Sequence, residues 1–256
     1  MPRTLVFLLL LTPLAAFASD QCKYEAPRHL QADLTGVRSV QIEVNSYDLH
    51  VTGGDGTRGL ELTGRACASD QAALDALTVT QRREGDRLVI ELGGGRRFGV
   101  SMFGSSYSDL DVRVQLPASL PLNVEVGSGD ADVTGVAQLD SRVGSGDLGV
   151  HRIAGKFSTS VGSGDIEADD LGSLEVGAVG SGDLKVRGIK NDARIGNIGS
   201  GDVRLSQVGG SVHADTLGSG DLNVDDVGGD LQLGAKGSGD VVHRGVKGKV
   251  SVPSDD

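Results

Sequence analysis

From Val126 onward the chain alternates apolar and polar positions in short bursts. Apolar residues fall two apart, as in Leu148 and Val150, Leu184 and Val186, Leu222 and Val224, with a third further along at Ile153, Ile189 and Val227. A second apolar pair follows in Leu174 and Val176, Ala193 and Ile195, Leu231 and Leu233. A last apolar residue closes the unit at Val143, Val161, Val179, Ile198 and Leu217. A spacing of two places side chains on one face of a β-strand. No run in this half has the three-and-four spacing of a helix. Each strand spans about four to six residues and cannot bury its apolar face alone, so the units must stack to share one interior.

The bursts are punctuated by one tetrapeptide, Gly-Ser-Gly-Asp, in seven copies that begin at Gly127, Gly144, Gly162, Gly180, Gly199, Gly218 and Gly237. The steps between them are 17, 18, 18, 19, 19 and 19 residues. A fixed period of this length signals a solenoid. The predicted fold is all-β, a parallel β-solenoid or β-helix of about 18–19 residues per coil. At about 4.8 Å per stacked strand, seven coils give a rod on the order of 35 Å long. The glycines are expected at corners, where the backbone needs a positive φ or the absence of a Cβ. Asp and Ser close such corners by bonding nearby backbone N–H groups.

The remainder of the chain divides in three: residues 1–18, a β-rich part over 19–121, and the regular repeats over 122–256. Residues 1–18 read as a secretory signal, with Arg3, an apolar run from Leu5 to Leu11, and the small-x-small site Ala16-Phe17-Ala18. The apolar run is too short for a membrane span, and no later stretch could span a bilayer as a helix. No lipoprotein-type box precedes Cys22. In the β-rich part, Asp48-Leu49-His50-Val51 and Asp109-Leu110-Asp111-Val112 both repeat the Asp-apolar-x-apolar core of a coil, which predicts degenerate first coils. Ser69-Asp70 before Gln71–Leu77 predicts a short capped helix. Leu77–Leu92 reads as a hairpin turning at Glu84-Gly85-Asp86, and these pieces are expected to cover one end of the solenoid. At the other end, Lys236 and His243 replace apolar positions, as a terminal repeat requires for solubility.

Charge and cysteines narrow the role. The formal net charge is −11, or −12 once residues 1–18 are removed, which argues against nucleic acid and anionic membranes as partners. Cys22 and Cys67 are the only cysteines, and in an exported chain they are expected to form one disulfide. Closing a loop of about 45 residues contributes roughly 4 kcal/mol by the chain-entropy model.

Asp130, Asp147, Asp165, Asp183, Asp202, Asp221 and Asp240 form the sharpest column. Stacked coils put these carboxylates roughly 5 Å apart, so something must offset their repulsion. They serve either as corner residues or as a calcium ladder like the β-roll. The β-roll motif has a residue between its last Gly and its Asp, and here Asp follows Gly directly, which favours the corner. The five histidines, His29, His50, His151, His213 and His243, lack metal-ligand spacing and are expected at the surface. No Gly-x-Ser-x-Gly or His-Glu-x-x-His is present. A polysaccharide-active β-helix enzyme is the alternative reading; its constellation would have to break the repeat. The outward position four after each Asp mixes signs (Thr134, His151, Asp169, Arg187, Ser206, Asp225, Arg244), which reads as an ordinary solvated ladder. One irregular stretch, Arg96, Arg97, Phe98, Phe103 and Tyr107, is a candidate binding loop or a cap over the core.

The Gly-Ser-Gly-Asp-apolar-x-apolar repeat, following a signal segment and a degenerate β-rich half, resembles bacterial adhesin families of unknown function. Among these is the autotransporter-adhesin head domain named for a Gly-Ile-Asn signature. The resemblance spans about residues 36–252 and is most specific over 122–252. It implies a β-solenoid in the periplasm or at the cell surface and supplies no catalytic residues to carry over; no catalytic residue and no cofactor are expected. The expected function is an exported, non-enzymatic binding or scaffold module of the cell envelope. Its partner is an unidentified envelope protein or glycan.

Overall fold

The computed structural model describes residues 22–93 and 107–253. The first strands are β1 (Tyr24–Ala32), β2 (Ser39–Asn45), β3 (Asp48–Gly54) and β4 (Leu60–Ala68). Helix α1 (Gln71–Ala76), the hairpin β5 (Val79–Glu84) and β6 (Arg87–Leu92), and β7 (Ser108–Pro117) follow. From β8 (Leu122–Val126) the chain winds through β9 (Ala131–Thr134), β10 (Leu139–Val143), β11 (Leu148–Val161) and β12 (Ile166–Val179). It continues through β13 (Leu184–Ile189), β14 (Ala193–Ile198), β15 (Val203–Val208) and β16 (Val212–Leu217). The last strands are β17 (Leu222–Val227), β18 (Leu231–Lys236), β19 (Val241–Val246) and β20 (Val250–Ser251).

Two parallel ladders run the length of the molecule. One joins β3, β9, the first half of β11, the first half of β12, β13, β15, β17 and β19. The other joins β2, β8, β10, the second halves of β11 and β12, β14, β16, β18 and β20. Each Gly-Ser-Gly-Asp carries the chain from the second ladder to the first. The fold is thus the expected parallel β-solenoid. The apolar positions face inward from both sides: Leu184, Val186 and Ile189 from the first ladder and Ala193, Ile195 and Ile198 from the second are at most 2% exposed. One polar pair lies in this interior, where Ser141 Oγ and Thr159 Oγ1 are 2.8 Å apart on adjacent coils.

The corners explain the glycines, but by one of the two expected causes only. None of the Gly-Ser-Gly-Asp glycines has a positive φ. The second Gly of each copy sits directly above the carbonyl of the coil beneath: a Cβ on Gly164, Gly182, Gly201 or Gly220 would lie 1.8–1.9 Å from that oxygen. Within the repeats the positive φ values fall near the end of the first-ladder segment of each coil, five residues after each Asp. They occur at Gly135, Arg152, Asp170, Gly188, Gln207, Asp226 and Gly245. Four of the seven are thus non-glycine residues held in the left-handed region.

The β-rich part agrees with its expected pieces, with one correction. Strands β2 and β3 form a true first coil, whose corner Asn45-Ser46-Tyr47-Asp48 occupies the register of Gly-Ser-Gly-Asp. Ser128 Oγ donates to Ser46 Oγ at 3.0 Å, and Leu49 N donates to Asp130 O at 2.9 Å, as Ala131 N does to Asp147 O. The segment Asp109–Val112 is not a coil in that register. In β7 it is Asp111, not Asp109, that lies opposite Asp48, and β7 runs antiparallel to β4 on its other side. The inward side chains decide this: Leu110, Val112, Val114 and Leu116 are all at most 1% exposed, and their alternation sets Val112 opposite Leu49. Helix α1 is capped by Asp70, whose side chain accepts from Ala73 N, and the hairpin turns at Gly85 with φ +64°. The first ladder is extended by β7, β4 and β1, and the second by β6 and β5. The Cys22–Cys67 disulfide, with Cα atoms 5.6 Å apart, ties the start of β1 to the end of β4. At the far end His243 takes the place of Val224 in the inward row and is exposed.

Candidate functional site

The seven aspartates line up along one edge, and their carboxylates are engaged. Asp130 Oδ1 accepts from Asp147 N at 3.0 Å, Asp147 Oδ1 from Asp165 N at 3.2 Å and Asp165 Oδ1 from Asp183 N at 2.8 Å. Asp183, Asp202 and Asp221 repeat the bond to Asp202, Asp221 and Asp240, each at 3.0 Å. Six of the seven carboxylates, Asp130 to Asp221, therefore each satisfy a backbone donor of the next coil, which offsets the repulsion between neighbours. Among the described residues no group of three or more His, Cys, Asp or Glu is disposed to hold a metal ion. In the last coils the opposite corner uses the same device, with Asp192 Oδ1 accepting from Ser211 N, Ser211 Oγ from Asp230 N and Asp230 Oδ1 from Lys249 N.

The first coil meets this edge differently. Burial, then the charges of Asp109 and Asp130, push the Asp48 carboxyl above its ordinary range, against the opposing bond from Asp130 N. Burial likewise pushes the adjacent Tyr47 phenol up.

Of the candidate loop, Arg96, Arg97, Phe98 and Phe103 lie outside the described residues. Tyr107 is described and is 44% exposed. Its hydroxyl accepts from Lys23 N at 2.9 Å and its carbonyl from Ser69 N at 3.0 Å, so it packs near the disulfide.

A concave surface rich in polar side chains lies on the outer side of the first ladder, across β11, β12, β13, β15 and β17. It is a groove of about 450 Å³. Two rows of outward side chains flank it, at the positions two and four after each ladder Asp. The first row is Glu167, Lys185, Arg204 and Asn223, and the second is His151, Asp169, Arg187, Ser206 and Asp225. Between the rows lie Ala168, Val186 and Leu205, whose side chains point into the core. Polar pairs join side chains of adjacent coils: His151 Nδ1 with Asp169 Oδ2 at 2.9 Å, Lys185 Nζ with Glu167 Oε1 at 2.9 Å, and Arg244 Nε with Asp225 Oδ1 at 3.0 Å. These partners are largely solvated, with His151 and Asp169 side chains each 41% exposed, so each pair contributes well under about 1 kcal/mol.

The histidines expected at the surface are there. His50 is 3.1 Å from Asp132 and His213 is 3.0 Å from Asp215, both carboxylate pairs on the outer side. What the sequence reading missed is the groove. The row four after Asp, taken alone, is a mixture of signs. Reading it beside the row two after Asp would have shown Lys185, Arg187 and Arg204 gathered on two adjacent strands.

Among solved structures, a putative adhesin from Bacteroides fragilis is similar in fold, with 13% identity and a TM-score of 0.51 over 90% of this chain and 97% of that one. A putative lipid binding protein from Parabacteroides distasonis aligns at 15% identity with a TM-score of 0.49, covering 90% of this chain and 98% of that one. A putative adhesin from the same organism aligns at 14% identity and a TM-score of 0.31, over 90% of this chain and 97% of that one. No curated protein matches the sequence. Among the described residues no helix is long and apolar enough to cross a membrane. The family model described as Toastrack DUF4097 matches residues 37–247, from the first coil to the last, and the chain belongs to that family.

Proposed function

We propose that this chain is an exported, non-enzymatic binding or scaffold module of the cell envelope, adhesin-like in role. It presents the outer side of its first ladder to an envelope glycan or protein. The observation that carries this reading is the groove: it is open, it crosses five coils, and it is lined by side chains at repeat positions. A reacting site needs a constellation that occurs once and is shielded from water. The groove carboxylates Glu167, Asp169 and Asp225 instead sit in the running ladder, each tied to a neighbouring basic side chain. The disulfide and the signal-like residues 1–18 support export. The resemblance to adhesin head domains supports a place in the periplasm or at the cell surface.

The test is cross-linking and co-purification of the tagged full-length protein from its native envelope. Recovery of one glycan or protein, competed away by excess untagged protein, is the expected result. Two outcomes would overturn the reading. One is recovery of nothing above an untagged control, and the other is depolymerisation of an envelope polysaccharide by the purified protein.

A further inference from the structure

The groove has a charge arrangement that selects among ligands. Lys185 and Arg204 are register partners on β13 and β15, and Arg187 lies two residues along from Lys185. These three cations cluster on a chain of net charge −11. Arg187 has Asp169 as its register partner on one side and Ser206 on the other, with Asp225 one strand further on. Neither carboxylate turns to it. Asp169 is engaged by His151 at 2.9 Å and Asp225 by Arg244 at 3.0 Å, both on the side away from Arg187. Among the described residues the Arg187 side chain makes no hydrogen bond and no ion pair, and the residue is exposed.

We infer that Arg187, flanked by Lys185 and Arg204, is the oxyanion subsite of this groove, and that the groove takes an extended glycan bearing isolated carboxylate or phosphate groups between neutral sugars. The inference rests on the binding reading above. A guanidinium fork matches a carboxylate or phosphate with two parallel hydrogen bonds, and it does so best when no protein acid already fills it. The neighbouring cations are already held by protein acids, Lys185 by Glu167, Arg204 by Asp202 and Arg244 by Asp225, so a second anion placed one or two coils away finds no free partner. A densely charged polymer is therefore disfavoured, and a sparse one fits. Asn223 and Ser206 supply donors and acceptors for sugar hydroxyls at the same wall. The groove spans five stacked strands, about 19 Å, so an extended chain of a few sugar units lies along the rod.

The test uses the full-length protein and three soluble probes in titration calorimetry. These are a hyaluronan octasaccharide (one carboxylate per disaccharide), a phosphomannose oligosaccharide, and the neutral chitin tetrasaccharide. At least one charged probe is expected to bind, more weakly as salt rises, and the neutral probe at least tenfold more weakly. Which charged probe wins separates a carboxylate ligand from a phosphate one. Arg187→Gln is expected to lose roughly tenfold or more in affinity, the worth of a charge-assisted contact, while Arg187→Lys retains part of it. Arg58→Gln, on the exposed loop before β4, is expected to bind as the wild type does. Unchanged melting curves show that all three variants fold. Equal affinity of Arg187→Gln and wild type, equal affinity for neutral and charged probes, or binding of neither charged probe overturns the inference. If Arg187→Gln still recovers the envelope partner that wild type recovers, the subsite falls and the binding role stands; if wild type recovers none, the role itself falls.

Discussion

Replacing Gly182 by alanine tests the stacking of the corners directly. Gly182 is the second glycine of a central Gly-Ser-Gly-Asp, and its φ is not positive, so alanine meets no backbone penalty there. The cost comes from the coil beneath. A Cβ on Gly182 would lie 1.8 Å from the Gly164 carbonyl oxygen and 2.8 Å from its carbon, both backbone atoms that no rotamer change can move. A close C···O contact normally sits near 3.3 Å, so the two coils must separate locally by about 1.5 Å. Coils are about 4.8 Å apart, and the bonds across this corner are already 2.8–3.3 Å long in Ser181 N to Gly162 O, Gly182 N to Gly162 O and Asp183 N to Asp165 Oδ1. A shift of that size breaks all three. At about 1 kcal/mol net each, with the unpaired donors adding to the loss, the expected destabilisation is roughly 3–5 kcal/mol. The assay is urea unfolding followed by far-UV circular dichroism, with Gly85→Ala as comparison. Gly85 has a φ of +64° and nothing within 4 Å of its added Cβ, so that variant should lose only about 1–2 kcal/mol of backbone preference. A Gly182→Ala protein no less stable than Gly85→Ala would refute the stacking account.

Other outcomes follow from single features. Thr159→Val leaves the buried Ser141 hydroxyl without its partner and should cost about 1–3 kcal/mol, with Ser141→Ala added on top restoring much of the loss; paired thermal melts read both. Gln207 and Arg152 hold positive φ at a repeat position where Gly188 and Gly245 also serve, so Gln207→Gly should raise stability by on the order of 1 kcal/mol, whereas Gly188→Ala should lower it by a similar amount. Asp48 has its carboxyl raised chiefly by burial, so the folded state favours its protonated form. Its contribution is fully present below the ordinary carboxylate value and lost as pH rises through the raised one. Asp48→Asn should therefore melt higher than wild type near pH 7 and lose that advantage below about pH 4; an advantage independent of pH would count against this cause.

The repeat was legible because its causes are local to the chain. Alternation such as Leu184-x-Val186 sets the inward face, and a corner every 17 to 19 residues sets the coil, so the stack follows from sequence alone. The true first coil was half visible. Asp48-Leu49-His50-Val51 marked its strand, but its corner reads Asn-Ser-Tyr-Asp, which no composition rule equates with Gly-Ser-Gly-Asp. The Asp109 segment misled because a short motif carries no information on which neighbour it pairs with, and in β7 the packing of Leu110 and Val112 overrode it. Arg152, Asp170, Gln207 and Asp226 gave no sign of positive φ, since that conformation is imposed by the coil. The groove escaped notice because it depends on two rows at once, and adjacency between rows exists only after the coils are stacked.

The forward-pointing bond from each aspartate gives the molecule a grammar of growth. Every coil offers an acceptor to its successor and a backbone donor to its predecessor, and those two surfaces are nearly the same from one turn to the next. A duplicated or deleted stretch of one period therefore joins its neighbours with matching plugs and sockets. Such a gene can lengthen or shorten its product by recombination within the repeats, without new side chains at the splice, and so adjust how far the outer strip extends.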